Sequence, residues 1–293
     1  MQITQRIESA LERAVEGASG PACPPRLAAA VRHAVFPGGA RIRPQLCLAV
    51  AMACGDSDPA LADAAAISIE LLHCASLIHD DLPCFDNADM RRGKPSVHRA
   101  YGERLAVLGG DALIVLAFEV VGAAGQAHPM RMARVLSTVA AGVGMPTGIV
   151  AGQAWECEPR ANLRDYQRAK TGALFTAATV CGAVAAGAAA EPWQAFGDWL
   201  GEAYQVADDI RDVVGDPAAL GKPVGQDQEH GRPSCAAELG LDGAVRHFEG
   251  LVRKAMTSIP ECRGAALLQQ MVRQESMRLV PQDLVPDIIR EQA

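Results

Sequence analysis

The segment LIHDDLPCFDNADMRRGKP, Leu77 to Pro95, sets Asp80, Asp81, Asp86 and Asp89 beside Arg91, Arg92 and Lys94. Charge this dense belongs on a solvated surface, yet it follows directly on AAAISIELLHCASLI, Ala64 to Ile78, which has no lysine or arginine and only one acid. A helix that is apolar around most of its circumference is a buried helix, so the acids stand where one emerges from the core. Unpaired charge is costly there, and a bound metal ion gives carboxylates a partner.

Working outward, periodic apolar segments run the length of the chain. They are punctuated by GASGPACPP (17–25), FPGG (36–39), GMPTG (144–148) and GDPAALGKPVG (215–225), and no alternating β-branched stretch interrupts them. This pattern predicts an all-α fold, a single large helical bundle of roughly ten or more helices over residues 1–293. With 293 residues, 49% of them hydrophobic, there is ample material for one large core. The net charge of −7 and the absence of a basic run argue against nucleic acid as a partner. Nine cysteines without CxxC spacing read as small core residues of a reduced, cytoplasmic protein. The amphipathic N-terminus lacks the basic and apolar regions of a signal peptide. The run Gly172 to Ala190 is alanine- and glycine-rich, which favours a tightly packed core helix over a transmembrane span. VLGGDAL (107–113) lacks both the GxGxxG glycines and a preceding strand, so it is no dinucleotide fingerprint.

An internal echo links two distant regions. ASLIHDDLPCFD (75–86) and AYQVADDIRDVVGD (203–216) each end an apolar helix on paired aspartates, with further acids following. Asp208 and Asp212, four apart, share a helical face, with Asp209 adjacent. Asp86 lies six residues beyond Asp80 and would point away on an ideal helix, so the reading requires Pro83 to break the helix and swing it back. Carboxylate clusters suit hard ions, and Mg²⁺ in particular takes a few carboxylates completed by water and phosphate. Arg41, Arg43, Arg91, Arg92, Lys94, Lys170 and Lys222 lie at turns, where they can reach diphosphate oxygens. Alone, a DDxxD is more often a solvated helix face, and His73, His79 and His98 are by default core histidines. Together the pieces imply a magnesium–diphosphate substrate with an apolar tail.

These residues resemble the trans-polyprenyl diphosphate synthases, the family of farnesyl and geranylgeranyl diphosphate synthases, and most of all its bacterial geranylgeranyl members. The likeness runs in order through GGARIRP (38–44), LLHCASLIHDDLPCFDNADMRRGKPSVH (71–98), LGGDAL (108–113), GQA (152–154), KTGALF (170–175), YQVADDIRDVVGD (204–216) and LGKPVGQD (220–227). It implies an isoprenoid-synthase bundle, usually a homodimer, that carries out Mg²⁺-dependent head-to-tail condensation of isopentenyl diphosphate with an allylic diphosphate. Three Mg²⁺ ions would act with bound substrate, Mn²⁺ being an acceptable substitute. By the same resemblance Asp80, Asp86 and Asp208 are metal ligands, with Asp81, Asp209 and Asp212 acting directly or through water. Arg91, Lys170 and Lys222 hold the allylic diphosphate, Arg43, His73 and Arg92 hold isopentenyl diphosphate, and Thr171, Gln153 and Gln205 line the reacting end.

Product length has a physical handle. Ala75, five residues before Asp80, stands where many fifteen-carbon synthases carry an aromatic, and its methyl leaves the shaft open. Leu71 and Leu72, a turn further down, are candidates for the floor. A twenty-carbon product, geranylgeranyl diphosphate, is expected. The sequence departs from the family at Ala40, usually lysine, which predicts a weaker Michaelis constant for isopentenyl diphosphate, and at GRPSC (231–235) and Tyr204. The alternatives are a farnesyl diphosphate synthase, a non-catalytic subunit of a heteromeric synthase, for which Ala40 is the only support, and a class I terpene cyclase. Both aspartate sets are kept, which favours an active synthase.

Overall fold

The computed structural model describes residues 2–159, 162–214 and 234–281. The chain begins with α1 (Ile3–Ala18), α2 (Pro25–Val35), α3 (Ile42–Ala53) and the long α4 (Pro59–Asp80). A small hairpin of β1 (Met90–Arg91) and β2 (Lys94–Pro95) leads to α5 (Val97–Tyr101), α6 (Glu103–Ala124), α7 (Pro129–Val143) and α8 (Ile149–Ala154). There follow α9 (Leu163–Gln167), α10 (Ala173–Ala185), α11 (Pro192–Val214), α12 (Cys235–Thr257) and α13 (Ala265–Leu279). The all-α expectation holds, the hairpin being its one departure among the described residues.

Helix α4 is the axis of the bundle. Asp58 caps it by accepting the Leu61 amide at 3.1 Å, and Pro59 at its first position has no amide to leave unpaired. Leu61, Ile67, Ile69, Leu71, Leu72 and Ile78 are buried along it, packed between α6, α3 and α10. Each such side chain contributes about 1.5–3 kcal/mol relative to exposure. Helix α10 is its counterpart: every residue from Ala177 to Ala185 is buried, against α11, α3, α7 and α4. At 13 residues it is shorter than the roughly 20 that a bilayer requires, and it is the core helix that its composition suggested. Two other stretches, Pro59–Asp80 and Glu103–Ala127, are long and apolar enough to cross a membrane, but the first is largely buried within the bundle.

Between α9 and α10 the chain forms one π-helical turn, Arg168–Gly172, clamped between two glycines. A Cβ on Gly152 of α8 would fall 2.3 Å from the Lys170 amide nitrogen, and one on Gly201 of α11 would fall 2.6 Å from the Gly172 Cα. Both neighbours are backbone and cannot give way cheaply. π-Turns of this kind recur at functional sites, because the extra residue re-aims the side chains that follow. Here the re-aimed residues are Lys170 and Thr171. Gly201→Ala is expected to cost about 1–3 kcal/mol by overpacking, read as a lower urea midpoint, and to reduce turnover as Lys170 and Thr171 are displaced.

Candidate active site

The first acidic motif is built by the way α4 stops. After Asp80 the chain turns through Asp81 and Pro83, and the Asp86 amide donates back to the Asp80 carbonyl at 2.9 Å. The break that the spacing required is present, and Asp86 returns to the helix end. The chain then enters the β1–β2 hairpin, whose two turn residues, Arg92 and Gly93, have φ of 53° and 74°. Positive φ at both central positions is the type I′ geometry that matches strand twist. For an arginine it is an uncommon conformation, held because the hairpin aims neighbouring guanidiniums in two directions. Arg91 turns toward Asp81, donating from Nε to Oδ1 at 3.0 Å, and Arg92 turns toward Glu70.

Beneath the hairpin lies a buried charge network. The Arg41 guanidinium donates to Glu70 at 2.6 Å, to Glu8 at 2.8 Å and to the Val35 carbonyl at 2.8 Å. A Cβ on Gly38 would sit 2.0 Å from Cζ of Arg41, and one on Gly39 would sit 3.1 Å from Nε of Arg92. The paired glycines of GGARIRP therefore leave room for two guanidiniums. Arg43 lies over the Phe175 ring at 4.7 Å and the Tyr204 ring at 5.5 Å. Nε of Arg43 and Nη1 of Arg92 are buried and have no hydrogen-bond partner among the described residues. His73 stands among Arg43, Arg92, Arg91 and Arg41; burial first, then these cations, push its pKa well below the usual histidine value, so the ring is neutral.

The second motif lies on α11. Asp208 pairs with Arg211 at 3.1 Å. Asp209 is buried: its Oδ1 accepts from Gln205 Nε2 at 2.8 Å, and its Oδ2 accepts from Gln167 at 3.2 Å and from the Cys235 amide at 2.7 Å. A carboxylate is acceptor-only, so it fixes the Gln205 amide and leaves Oε1 to accept the Thr171 hydroxyl at 2.6 Å. A chain of hydrogen bonds thus runs from Thr171 through Gln205 and Asp209 to the first amide of α12.

Two cavities meet at the end of α4. One, of about 340 Å³, is lined by Ala40, Arg43, Glu70, His73, Asp80, Arg91, Arg92, Lys170, Thr171, Tyr204, Gln205 and Asp208, among others. The other, of about 390 Å³, is lined mainly by apolar groups, including Leu72, Ala75, Phe85, Ile114, Val143 and Val150, with Gln153 at its wall. Ser76, Asp80 and Ile149 belong to both. A charged chamber and a greasy one therefore share a wall at Asp80.

The structure redistributes some expected roles. Asp81 is buried and engaged by Arg91 from two nitrogens, and Asp209 is buried and accepts from at least three donors among the described residues; like Asp86 and Asp212, neither lines the charged cavity. Asp212 is buried as well. Arg41 is occupied by Glu70 and Glu8, and Lys94 donates to the Phe36 carbonyl, so neither is an open phosphate donor. His98 is a buried histidine paired with Ser96 at 3.0 Å, and His79 lines the apolar cavity. Leu71 packs in the core, away from the apolar cavity, whereas Leu72 and Ala75 line it. Lys222 and Arg232 fall outside the described residues. All nine cysteines are free, and Cys47, Cys74, Cys181 and Cys235 are buried; Cys84 and Cys157, by contrast, are exposed. Sequence reasoning missed Glu70 as the anchor of the arginines, although it is the lone acid of an apolar helix, and it missed Glu156, for which no motif gave a signal.

Among the described residues no three histidine, cysteine or carboxylate side chains converge to hold an ion by themselves. Asp80 and Asp208 instead line one cavity from two helices. An open donor set of this kind fits Mg²⁺, which takes one or two carboxylates and fills the rest with water and substrate phosphate.

An all-helical bundle with acidic helix ends over a charged cavity, joined to an apolar one, defines a class of enzyme that handles prenyl diphosphates. The family profile described as Polyprenyl synthetase matches residues 24–265, and the chain belongs to that family. It is 54% identical to a geranylgeranyl diphosphate synthase of Cereibacter sphaeroides over 281 residues, 96% of this chain and 98% of the relative. It is 51% identical to that of Rhodobacter capsulatus over 273 residues, 93% and 94% of the two chains. Among solved structures, a geranyltransferase of Helicobacter pylori complexed with magnesium and isoprenyl diphosphate superposes with a TM-score of 0.79 at 30% identity, covering 94% of this chain and 97% of that one.

Burial raises the Asp80 pKa to about 6, with Asp86 and Glu156 adding to the effect and Lys170 and Arg91 opposing it. A folded-state pKa above the unfolded value means that the free protein loses stability as pH rises through about 4 to 6 and the buried carboxyl ionises. Asp80→Asn is therefore expected to raise the melting temperature of the ligand-free protein at pH 7.5 but not at about pH 4, while lowering kcat by about 10²–10³. Differential scanning fluorimetry and steady-state assays read the two effects.

Proposed function

We propose that the chain condenses isopentenyl diphosphate with an allylic diphosphate, head to tail, to give geranylgeranyl diphosphate, with residues 1–293 acting as one catalytic unit in the cytoplasm. The observation that carries this reading is the shared wall at Asp80: the charged cavity accepts diphosphates, and the apolar cavity beyond it accepts the growing tail. The two relatives named as geranylgeranyl diphosphate synthases support the same product.

Asp80 and Asp208, with Asp86 and Asp212 nearby, are the carboxylates we assign to Mg²⁺, which when bound neutralises charge on the departing pyrophosphate. Arg91 and Lys170 donate to the allylic diphosphate oxygens that gain charge as the allylic C–O bond breaks, and Lys222 completes that set by resemblance. Arg43 and Arg92 each bring a buried N–H that lacks a partner among the described residues, and neutral His73 lies near both, which suits the second diphosphate. The Thr171 hydroxyl, held by Gln205, stands at the reacting end. The double bond of isopentenyl diphosphate then attacks the allylic carbon, a C–C bond forms, and a proton leaves the adjacent carbon. The apolar walls keep water from the cation.

Tail length is set along α4. Ala75 presents only a methyl to the cavity, and Leu72, Ile114 and Val143 line it as well. The test is an assay with Mg²⁺, labelled isopentenyl diphosphate and dimethylallyl, geranyl or farnesyl diphosphate, with products resolved by length. A dominant twenty-carbon product is expected, shortening to fifteen carbons in Ala75→Phe. A fifteen-carbon product from the unaltered protein would favour the farnesyl alternative, and no condensation with any primer would favour the non-catalytic subunit.

A homodimer also belongs to this reading. Helix α6 exposes Val107, Leu108 and Val115 at 43%, 52% and 66%, interspersed with the exposed charged residues Arg104, Asp111 and Glu119. A mixed apolar and charged face of this kind is suited to self-association about a two-fold axis. Light scattering is expected to give twice the 30.7 kDa chain mass, and Leu108→Glu with Val115→Arg is expected to give the monomer; a monomeric unaltered protein would defeat the assignment.

A further inference from the structure

Glu156 belongs to the short 3₁₀ turn Trp155–Cys157 that closes α8. Its carboxylate accepts from Lys170 Nζ, from the Tyr166 hydroxyl at 2.7 Å and from Gln153 Nε2 at 3.1 Å. The three donors come from α8, α9 and the π-turn, so one side chain ties together the segments that meet at the rim of the site. Lys170 lies in the π-turn whose backbone the two glycines fix, and its ammonium also lies 5.7 Å from the Tyr166 ring. Lys170 and Gln153 line the charged and the apolar cavity respectively, whereas Glu156 lines neither. The protein thus supplies Lys170 with an anion placed just outside the chamber where diphosphate would lie.

We infer that Glu156 is a positioning residue that competes with diphosphate for Lys170. The inference deepens the proposed function, since it rests on Lys170 contacting the allylic diphosphate. Before substrate enters, the carboxylate holds the lysine extended along the rim, so little side-chain freedom is lost when the phosphate oxygens take it over. After the C–O bond has broken, inorganic pyrophosphate is left against the same ammonium. Glu156 then recaptures Lys170 and weakens the hold on that product. The carboxylate lowers diphosphate affinity at one subsite and leaves the isopentenyl diphosphate donors, Arg43 and Arg92, untouched. Its Coulomb contribution is that of a partly exposed pair, with both side chains about one-fifth accessible, which corresponds to an effect of about fivefold.

The experiment uses the full chain with Mg²⁺ and measures inorganic pyrophosphate binding by calorimetry, alongside the KM for each substrate. Glu156→Gln keeps the shape and removes the charge. It is expected to bind pyrophosphate about fivefold more tightly, to lower the KM for the allylic diphosphate by a similar factor and to leave the KM for isopentenyl diphosphate unchanged. Glu156→Asp keeps the charge and is expected to bind pyrophosphate within about twofold of the unaltered protein. Unchanged or weaker pyrophosphate binding in Glu156→Gln would overturn the inference, as would equal tightening in both variants. If the unaltered protein fails to bind pyrophosphate with Mg²⁺, the functional reading itself falls, whereas normal binding there with no shift in the variants removes Glu156 alone.

Discussion

The buried ion pair between Arg41 and Glu70 is the contact on which the rest of the site depends. Their side chains are 1% and 2% exposed, and an arginine or a glutamate left alone at such a place costs about 3–5 kcal/mol. Because Glu70 lies within α4, Arg41 at the start of α3 and Glu8 on α1, the pair sets the height at which three helices cross. It also fixes what lies above it. Arg92 approaches the same carboxylate at 3.9 Å, and this places the tip of the hairpin over the cavity. Glycines 38 and 39 have no side chain because guanidiniums occupy that volume.

That frame lets the protein concentrate like charges on both sides of one chamber. Burial, and then the four arginines around it, keep His73 neutral, while burial holds Asp80 partly protonated near pH 6. Both shifts mark groups whose charged forms are disfavoured in the free protein and would be relieved by partners of opposite sign. The N–H groups of Arg43 and Arg92 that lack a partner among the described residues express the same strain as hydrogen bonds not made. The stability withheld at these places is balanced by the dense apolar packing of α4 and α10.

Much of this was legible in the sequence because it follows from local rules. An apolar run that ends in acids announced a buried helix opening on a site, and Pro83 announced the break that returns Asp86 to Asp80. What was not legible depends on tertiary direction. Asp81 and Asp209 have the same chemistry as Asp80 and Asp208, and only the position of Arg91 and of the α12 N-terminus turns them inward. Leu71 and Leu72 are adjacent, so about 100° of helical rotation separates a core residue from a cavity wall. The π-turn that aims Lys170 and Thr171 is one extra residue in a helix, a feature that periodicity does not reveal. Glu156 carried no motif because its meaning comes from three donors on three segments.

The same electrostatics bears on Ala40, which lines the charged cavity where the family usually has lysine. A fifth cation beside Arg41, Arg43, Arg91 and Arg92 would add repulsion to a wall where burial first, and then neighbouring arginines, already lower the pKa of His73, and where burial first, with Arg92 adding to it, lowers that of Arg43. Glu70 already serves Arg41 and approaches Arg92, so it has little capacity left to balance another charge. On the proposed reading, alanine here forgoes one phosphate donor and, with it, part of the cost of holding the others together before substrate arrives. Loss of a ligand contact and relief of the free protein act in opposite directions on affinity. Arg43 and Arg92 are rigid forks that each keep a buried N–H without a partner among the described residues, and they are suited to hold the second diphosphate without the lysine.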